Sequence, residues 1–382
     1  MRSGIRSGGK LMVVKIGTSS ITHADGSLDV GEMGRIVDQV ASVIGRGNRV
    51  IIVTSGAIAA GITELGVRPK PNDLVLQQTS AAMGQSIIMA HYRRLFKQHR
   101  LKVAQILLTQ DDLSSRASYV HICSVLGLLL QLGVVPIINE NDVTSIDEIT
   151  PVMEGHRVNF SDNDVLSALI ANAAEADLLA ILSDVDGLYT DNPGSPEAKL
   201  IPVVEEVTAE LEELAKGKSR LGRGGMKTKL KAAAIVTSSG IPMLIVNSRR
   251  EGVLEDILNG KKVGTLFKAM EKMPSRKRWI AYGSSVKGRV TVNEGAKRAI
   301  FRGASLLPVG ITGVSGFFGA GDVVSLVDDG GAEFARGIAN YTSEEVNQIK
   351  EAKTKQIESI LGHAGRKEVI GRKYMHLAEE KA

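Results

Sequence analysis

The feature that most narrows the fold is a recurring alternation of short, unbroken apolar runs with longer stretches of helical periodicity. Leu11–Ile16 (LMVVKI), Arg49–Thr54, Val103–Leu108, Val134–Ile138, Leu178–Leu182 and Ile241–Val246 read as strands. Between them, Val30–Arg46, Ser55–Leu65, Leu74–Arg100, Tyr119–Leu132 and the stretch starting near Met226 carry helical patterns. Strands that are apolar throughout are buried on both faces, and repeated βα order lets successive strands run parallel. The pattern predicts an α/β domain over residues 1–265, with a mainly parallel sheet flanked by helices on both faces.

Beyond it the chain changes character. Leu266–Arg278 (LFKAMEKMPSRKR) loses its apolar period and gains charge and Pro274, which marks a linker at 266–278. Short runs such as GRVTV, DVVSLV and ARGIAN, separated by Gly-rich turns, predict a small β-rich domain over 279–361. A closing helix is expected at Ser343–Leu361, capped at Ser343-Glu344-Glu345-Val346, with a loosely ordered charged tail at 362–382. A length of 382 residues exceeds what one core usually serves, in keeping with two domains.

Cys123 is the only cysteine, so no intrachain disulfide can form and a reducing, cytoplasmic setting is expected. No apolar run approaches the ~20 residues of a membrane span, and none is expected to cross one. The net charge of +5 is concentrated between Lys261 and Arg302, where Glu271 and Glu294 are far outnumbered by lysine and arginine. Such a segment fits either a solvated surface or an acidic partner such as RNA. Few aromatics accompany it, which argues against base stacking as a primary role.

The chemistry gathers in polar loops at strand ends. Lys15 lies in an otherwise apolar strand followed by Gly17-Thr18-Ser19-Ser20, and a buried ammonium is costly unless it meets an anion. Ser55 and Gly56 open a helix whose N-terminus suits an anion, although the small residues through Gly61 fit tight helix packing equally well. Asn139-Glu140-Asn141-Asp142 and Ser161-Asp162-Asn163-Asp164 are two acidic and amide clusters, and Ser183, Asp184 and Asp186 follow the next strand. Arg220–Leu230 (RLGRGGMKTKL) pairs glycines with Lys227, Thr228 and Lys229 at a helix start, where cations are unfavourable without an anion. A GxxxxGK match ending at Lys10 is dismissed, since Leu11 replaces the required Ser or Thr and the match precedes the first strand. No His or Cys pattern suggests zinc or a nucleophile, so the inventory fits phosphoryl transfer by positioning and charge neutralisation.

Taken in order, VVKIGTSS, VIIVTSGAIAAG, VVPIINENDVT, SDNDVLSALIA, LLAILSDVDGLYTDNP, GRGGMKTKL and VGTLF resemble the motifs of the glutamate 5-kinases of the amino acid kinase superfamily. The segment beginning RKRWI resembles a PUA domain. The resemblance implies transfer of the ATP γ-phosphoryl group to the side-chain carboxylate of L-glutamate, the first step of proline biosynthesis, with magnesium carried on the nucleotide and no metal ligands from the protein. It implies Lys15 and Lys229 at the transferring phosphoryl group, with Asp164 holding them. Ser55, Gly56, Asp142, Asp162 and Asn163 would bind glutamate. Lys15, Gly17, Ser183, Asp184, Arg223, Gly224, Gly225, Met226, Lys227, Thr228 and Lys229 would bind ATP. It further implies a homo-oligomer, dimer or tetramer, and proline as a feedback inhibitor. The chain departs from the usual pattern at Ser161, where a Gly is common, at Ser183, which stands for a Thr, and at Lys227, which replaces a small polar residue. Another phosphotransferase of the superfamily, or an RNA-binding protein acting through the second domain, are the alternative readings.

Overall fold

The computed structural model describes residues 9–67, 73–109, 112–113, 115–144, 163–208, 210–211, 225–271, 280, 286–363 and 365–377. These fall into two compact units, residues 9–271 and 280–377.

The first unit alternates strand and helix as the apolar runs predict. Its strands are β1 (Leu11–Ile16), β2 (Arg49–Val53), β3 (Lys102–Leu108), β4 (Val134–Glu140), β5 (Leu178–Ser183), β6 (Val203–Val204), β7 (Met243–Asn247) and β8 (Thr265–Phe267). They form one sheet in the order β3-β4-β2-β1-β5-β7-β8-β6. Every neighbouring pair is parallel except β7 and β8, which run antiparallel. Leu266 and Phe267, expected in the linker, thus belong to the sheet, and the buried Phe267 ring shows why. The other revision concerns β4, which continues two residues past Ile138. Asn139 and Glu140 pair in register with Leu107 and Leu108 and are buried in the strand rather than held in a loop.

Helices α1 (Val30–Gly45), α2 (Ala57–Leu65), α3 (Leu74–Gln98), α4 (Arg116–Gln131), α5 (Asn163–Ala173), α6 (Met226–Thr237) and α7 (Val253–Leu258) complete the unit. Asp29 and Asp73 cap α1 and α3 by accepting from the backbone N–H groups of Glu32 and Leu76. Met33, Ile36, Val37 and Val40 of α1 and Ile88, Tyr92 and Phe96 of α3 pack on Met12, Val14 and Ile16 of β1, with Ile52, Ile137 and Leu182 beside them. Side chains alternate across a strand, so Val13 and Lys15 face the opposite layer, where α5 contacts β1 and packs along α6. Residues Asp164 to Ala173 of α5 are all buried, the state of a helix enclosed on every side.

Helices α2 and α3 touch backbone to backbone. A Cβ on Gly61 would collide with the Ser80 carbonyl, and one on Gly84 with the Ala57 carbonyl. The glycine and alanines after Ser55 therefore serve helix packing. Gly56 caps α2 in the left-handed region at φ 92°, a turn that glycine adopts without steric cost.

The second unit holds β9 (Gly288–Val292), β10 (Ile311–Gly316), β11 (Val323–Val327), β12 (Glu333–Ile338) and β13 (Met375–Leu377), ordered β10-β9-β11-β12-β13. Val290, Val292, Ile311, Val324, Leu326 and Phe334 form its core with Ile300 of α8 (Glu294–Phe301). The single closing helix expected at Ser343–Leu361 is two pieces, α9 (Ser343–Ile349) and α10 (Ile357–Leu361). Lys350 leaves the helix in an extended conformation, Glu351 adopts φ 63°, and the Glu351 N–H bonds the Pro308 carbonyl at 2.9 Å. The cap is Thr342 rather than Ser343, in a capping box with Glu345. Residues 365–377, expected as a loose tail, are built into the unit. Val369 and Ile370 are fully buried, and β13 pairs antiparallel with β12. Among the described residues no helix is long and apolar enough to cross a membrane.

Candidate active site

The carboxyl ends of the central strands bring Lys15, Asp164 and Lys229 together. Lys15 lies on β1 between β2 and β5, opposite Val53 and Ile181, so it is not an edge-strand lysine reaching solvent. Its Nζ meets Asp164 Oδ1 at 2.7 Å, and Lys229 Nζ meets Asp164 Oδ2 at 3.1 Å. Asp164 comes from the first turn of α5 and Lys229 from the first turn of α6, so three elements converge on one carboxylate. Thr228 Oγ1 donates to the same Oδ2 at 2.9 Å. Asp164 is 0%, Lys15 5% and Lys229 7% exposed.

Burial alone would push the Asp164 carboxyl up, but the Lys15 and Lys229 ammoniums outweigh it and hold its pKa lowered to about 2. The group is therefore a fixed anion near neutral pH and is unsuited to accept a proton. One carboxylate between two ammoniums leaves a net positive charge, and in a buried setting that charge calls for a further anion.

A second polar cluster lies alongside. Asn163, the residue before Asp164, donates from Nδ2 to Ser55 Oγ at 3.0 Å and to Asn139 Oδ1 at 3.1 Å. Asn139 Nδ2 in turn donates to Gln85 Oε1 on α3 at 2.8 Å. Buried Asn163 Oδ1 has no hydrogen-bond partner among the described residues. Thr54, just before Ser55, shares a 2.9 Å hydrogen bond with the fully buried Tyr92 hydroxyl, whose pKa burial pushes up to about 12. Gln85 and Tyr92 were not among the sequence candidates. Their signal was a polar side chain on the buried stripe Ala81, Ile88, Leu95 of a long helix.

Gly17 bonds the Leu182 carbonyl through its N–H at 3.3 Å, and a Cβ there would stand 3.8 Å from Lys15 Nζ. Ser183 ends β5 and donates to the exposed Asp184 at 3.2 Å, and among the described residues neither bonds to the lysine pair. Gly225 caps α6 and Met226 begins it, with Lys227 exposed on its first turn. Asp142 sits half-buried in the turn after β4. Asp162, Arg223 and Gly224 lie outside the described residues. Among the described residues no three His, Cys, Asp or Glu side chains gather as metal ligands.

Comparison with known proteins places the chain in a family. The Amino acid kinase family matches residues 10–247 and the PUA domain matches residues 288–361. The glutamate 5-kinase of Moorella thermoacetica is 44% identical over 365 residues, 94% of each chain. The chain belongs to the glutamate 5-kinases of the amino acid kinase family. Those of Thermoanaerobacter sp. (96% of this chain, 98% of the relative) and Geobacter sulfurreducens (97% and 98%) are likewise 44% identical. The kinase thus shares both its units with these relatives, and its paired lysines fall within the matched kinase region.

Proposed function

We infer that the chain transfers the γ-phosphoryl group of ATP to the side-chain carboxylate of L-glutamate, giving glutamyl 5-phosphate and ADP. The observation that carries this reading is the buried, net-positive Lys15–Asp164–Lys229 cluster at the strand ends. In the transfer, a carboxylate oxygen of the acceptor forms a bond to the γ-phosphorus as the bridging bond to ADP breaks. A side-chain carboxylate with a pKa of about 4.3 is already ionised at neutral pH, so no general base is required. What the reaction needs is relief of charge on the phosphoryl oxygens, which two ammoniums fixed by one carboxylate supply without reorganising.

Asp164 acts by holding the lysines, and Thr228 steadies its second oxygen. Ser55 and Asn163 face the acceptor, with Asp142 after β4, and Asp162 is assigned to the same acceptor. Ser183, Asp184 and the loop from Arg223 to Lys229 hold the nucleotide, with Lys227 adding charge for its phosphates. Two ammoniums around one paired carboxylate would repel a bare cation, so magnesium fits as an ion carried by the ATP phosphates, where it neutralises their charge. A chain with one cysteine suits cytoplasmic work, and the acyl phosphate product would feed proline biosynthesis.

The test is ATP turnover with magnesium and a panel of acceptors: L-glutamate, L-aspartate and N-acetyl-L-glutamate. Turnover dependent on L-glutamate and exceeding that of the other acids is expected. Faster turnover with either of the others would overturn the acceptor assignment while leaving the lysine chemistry in place.

A further inference from the structure

We propose that Gln85 sets the hydrogen-bond polarity of the acceptor site, so that Asn163 presents a carbonyl to the ammonium of a free α-amino acid. The inference rests on Asn163 facing the acceptor, as in the function proposed above.

The relay runs in one sense. Both hydrogens of Asn163 Nδ2 are taken, one by Ser55 Oγ and one by Asn139 Oδ1. Asn139 can offer that oxygen only while its own Nδ2 finds an acceptor, and Gln85 Oε1 is the acceptor at 2.8 Å. Asn163 Oδ1 is then left over at the acceptor end, buried and without a partner among the described residues, as Gln85 Nε2 is at the other end. An unpaired buried acceptor is unfavourable alone and favourable opposite a cationic donor.

Run in the other sense, the amide chain would present the Asn163 NH2 group, which suits a carboxylate and repels an ammonium. Gln85 stands at the end of the chain where that choice is made. It is 8% exposed and lies on the buried stripe of α3 with Ala81, Ile88 and Tyr92, so its position is held by packing. Asn139 is 2% exposed on β4 and cannot turn to water for another partner. Gln85 is accordingly a positioning residue, acting through Asn139 and Asn163 on the amine of the acceptor.

Two variants isolate the acceptor atom. Gln85→Met keeps length and removes both polar groups; Gln85→Glu keeps an acceptor oxygen whether or not the acid is ionised. Gln85→Met is expected to raise KM for L-glutamate about tenfold, the scale of one buried hydrogen bond to a charged group, with KM for ATP unchanged. The inhibition constant of glutarate, the same diacid without the amine, should stay as in the parent. Gln85→Glu should keep KM for glutamate within about threefold, a loss well below that of a broken hydrogen bond. If Gln85→Met raises both constants alike, or neither, Gln85 does not set the amine contact. A Gln85→Glu variant with the KM defect of Gln85→Met also overturns the proposal, and this comparison against the parent decides the matter if Gln85→Met does not fold. Asn163→Ala runs in parallel: an unchanged glutamate KM in that variant would show that the reading of Asn163 fails, separately from the role of Gln85.

Discussion

Replacing Asp164 with Asn keeps the shape of the cluster and removes its only carboxylate, so the two buried ammoniums lose their shared counter-charge. Lowering the Asp164 pKa from 3.8 to about 2 corresponds to about 2 to 3 kcal/mol of stability at neutral pH, at about 1.4 kcal/mol per unit. The folded-state pKa lies below the unfolded one. The contribution is therefore complete above the unfolded value, about half remains at pH 3, and it is lost as the pH falls through about 2. For a unit of this size each kcal/mol moves the melting temperature about 2–4 °C, so Asp164→Asn should melt about 5–10 °C below the parent at pH 7. Scanning calorimetry of the first unit's transition at pH 7, 4 and 3 reads this directly. A gap that stays constant down to pH 3, or no gap at pH 7, would refute the claim that the ionised carboxylate holds the lysines.

Gly84→Ala drives a methyl group against the Ala57 carbonyl; it should cost about 1–3 kcal/mol by overpacking in a denaturant melt, and should raise KM for the acid because α2 starts next to Ser55. Tyr92→Phe leaves Thr54 Oγ1 with only its 3.4 Å contact to the Ser55 carbonyl and should cost about 1 kcal/mol. Because the Tyr92 pKa is raised above its unfolded value of 10.0, its contribution is present below pH 10 and fades as the pH rises toward about 12. The parent should therefore lose more stability than Tyr92→Phe above pH 10, as thermal melts at pH 9 and 10.5 would show.

Much of the kinase unit was legible because its strands are apolar on both faces and its loops are not. Lys15 stood out as an ammonium in a buried run, and the sheet order explains it by setting β1 in the middle. That one carboxylate joins Lys15 to Lys229 across more than two hundred positions of sequence depends on how α5 and α6 pack, which no local pattern encodes. Gln85 was missed for the same reason: its partner is on strand β4, distant in sequence, and inside a helix of mixed composition one polar residue attracts no notice. The end of the second unit misled in a different way. Ser343 to Leu361 has the composition of one helix, but a long-range bond from Glu351 to Pro308 breaks it, while Val369, Ile370 and Met375 find a core that their charged neighbours conceal.

If the paired lysines carry phosphoryl transfer to a carboxylate, the acyl phosphate they form can be trapped. Purified protein is incubated with ATP, magnesium and L-glutamate in hydroxylamine, which converts an acyl phosphate to a hydroxamate, beside a Lys229→Ala variant whose fold is checked by its melting curve. Glutamate-dependent hydroxamate is expected in the parent and at least a hundredfold less in the folded variant, about 2.7 kcal/mol of lost transition-state stabilisation. Equal hydroxamate from folded Lys229→Ala would contradict the role of the lysine, and none from the parent would contradict the reaction itself.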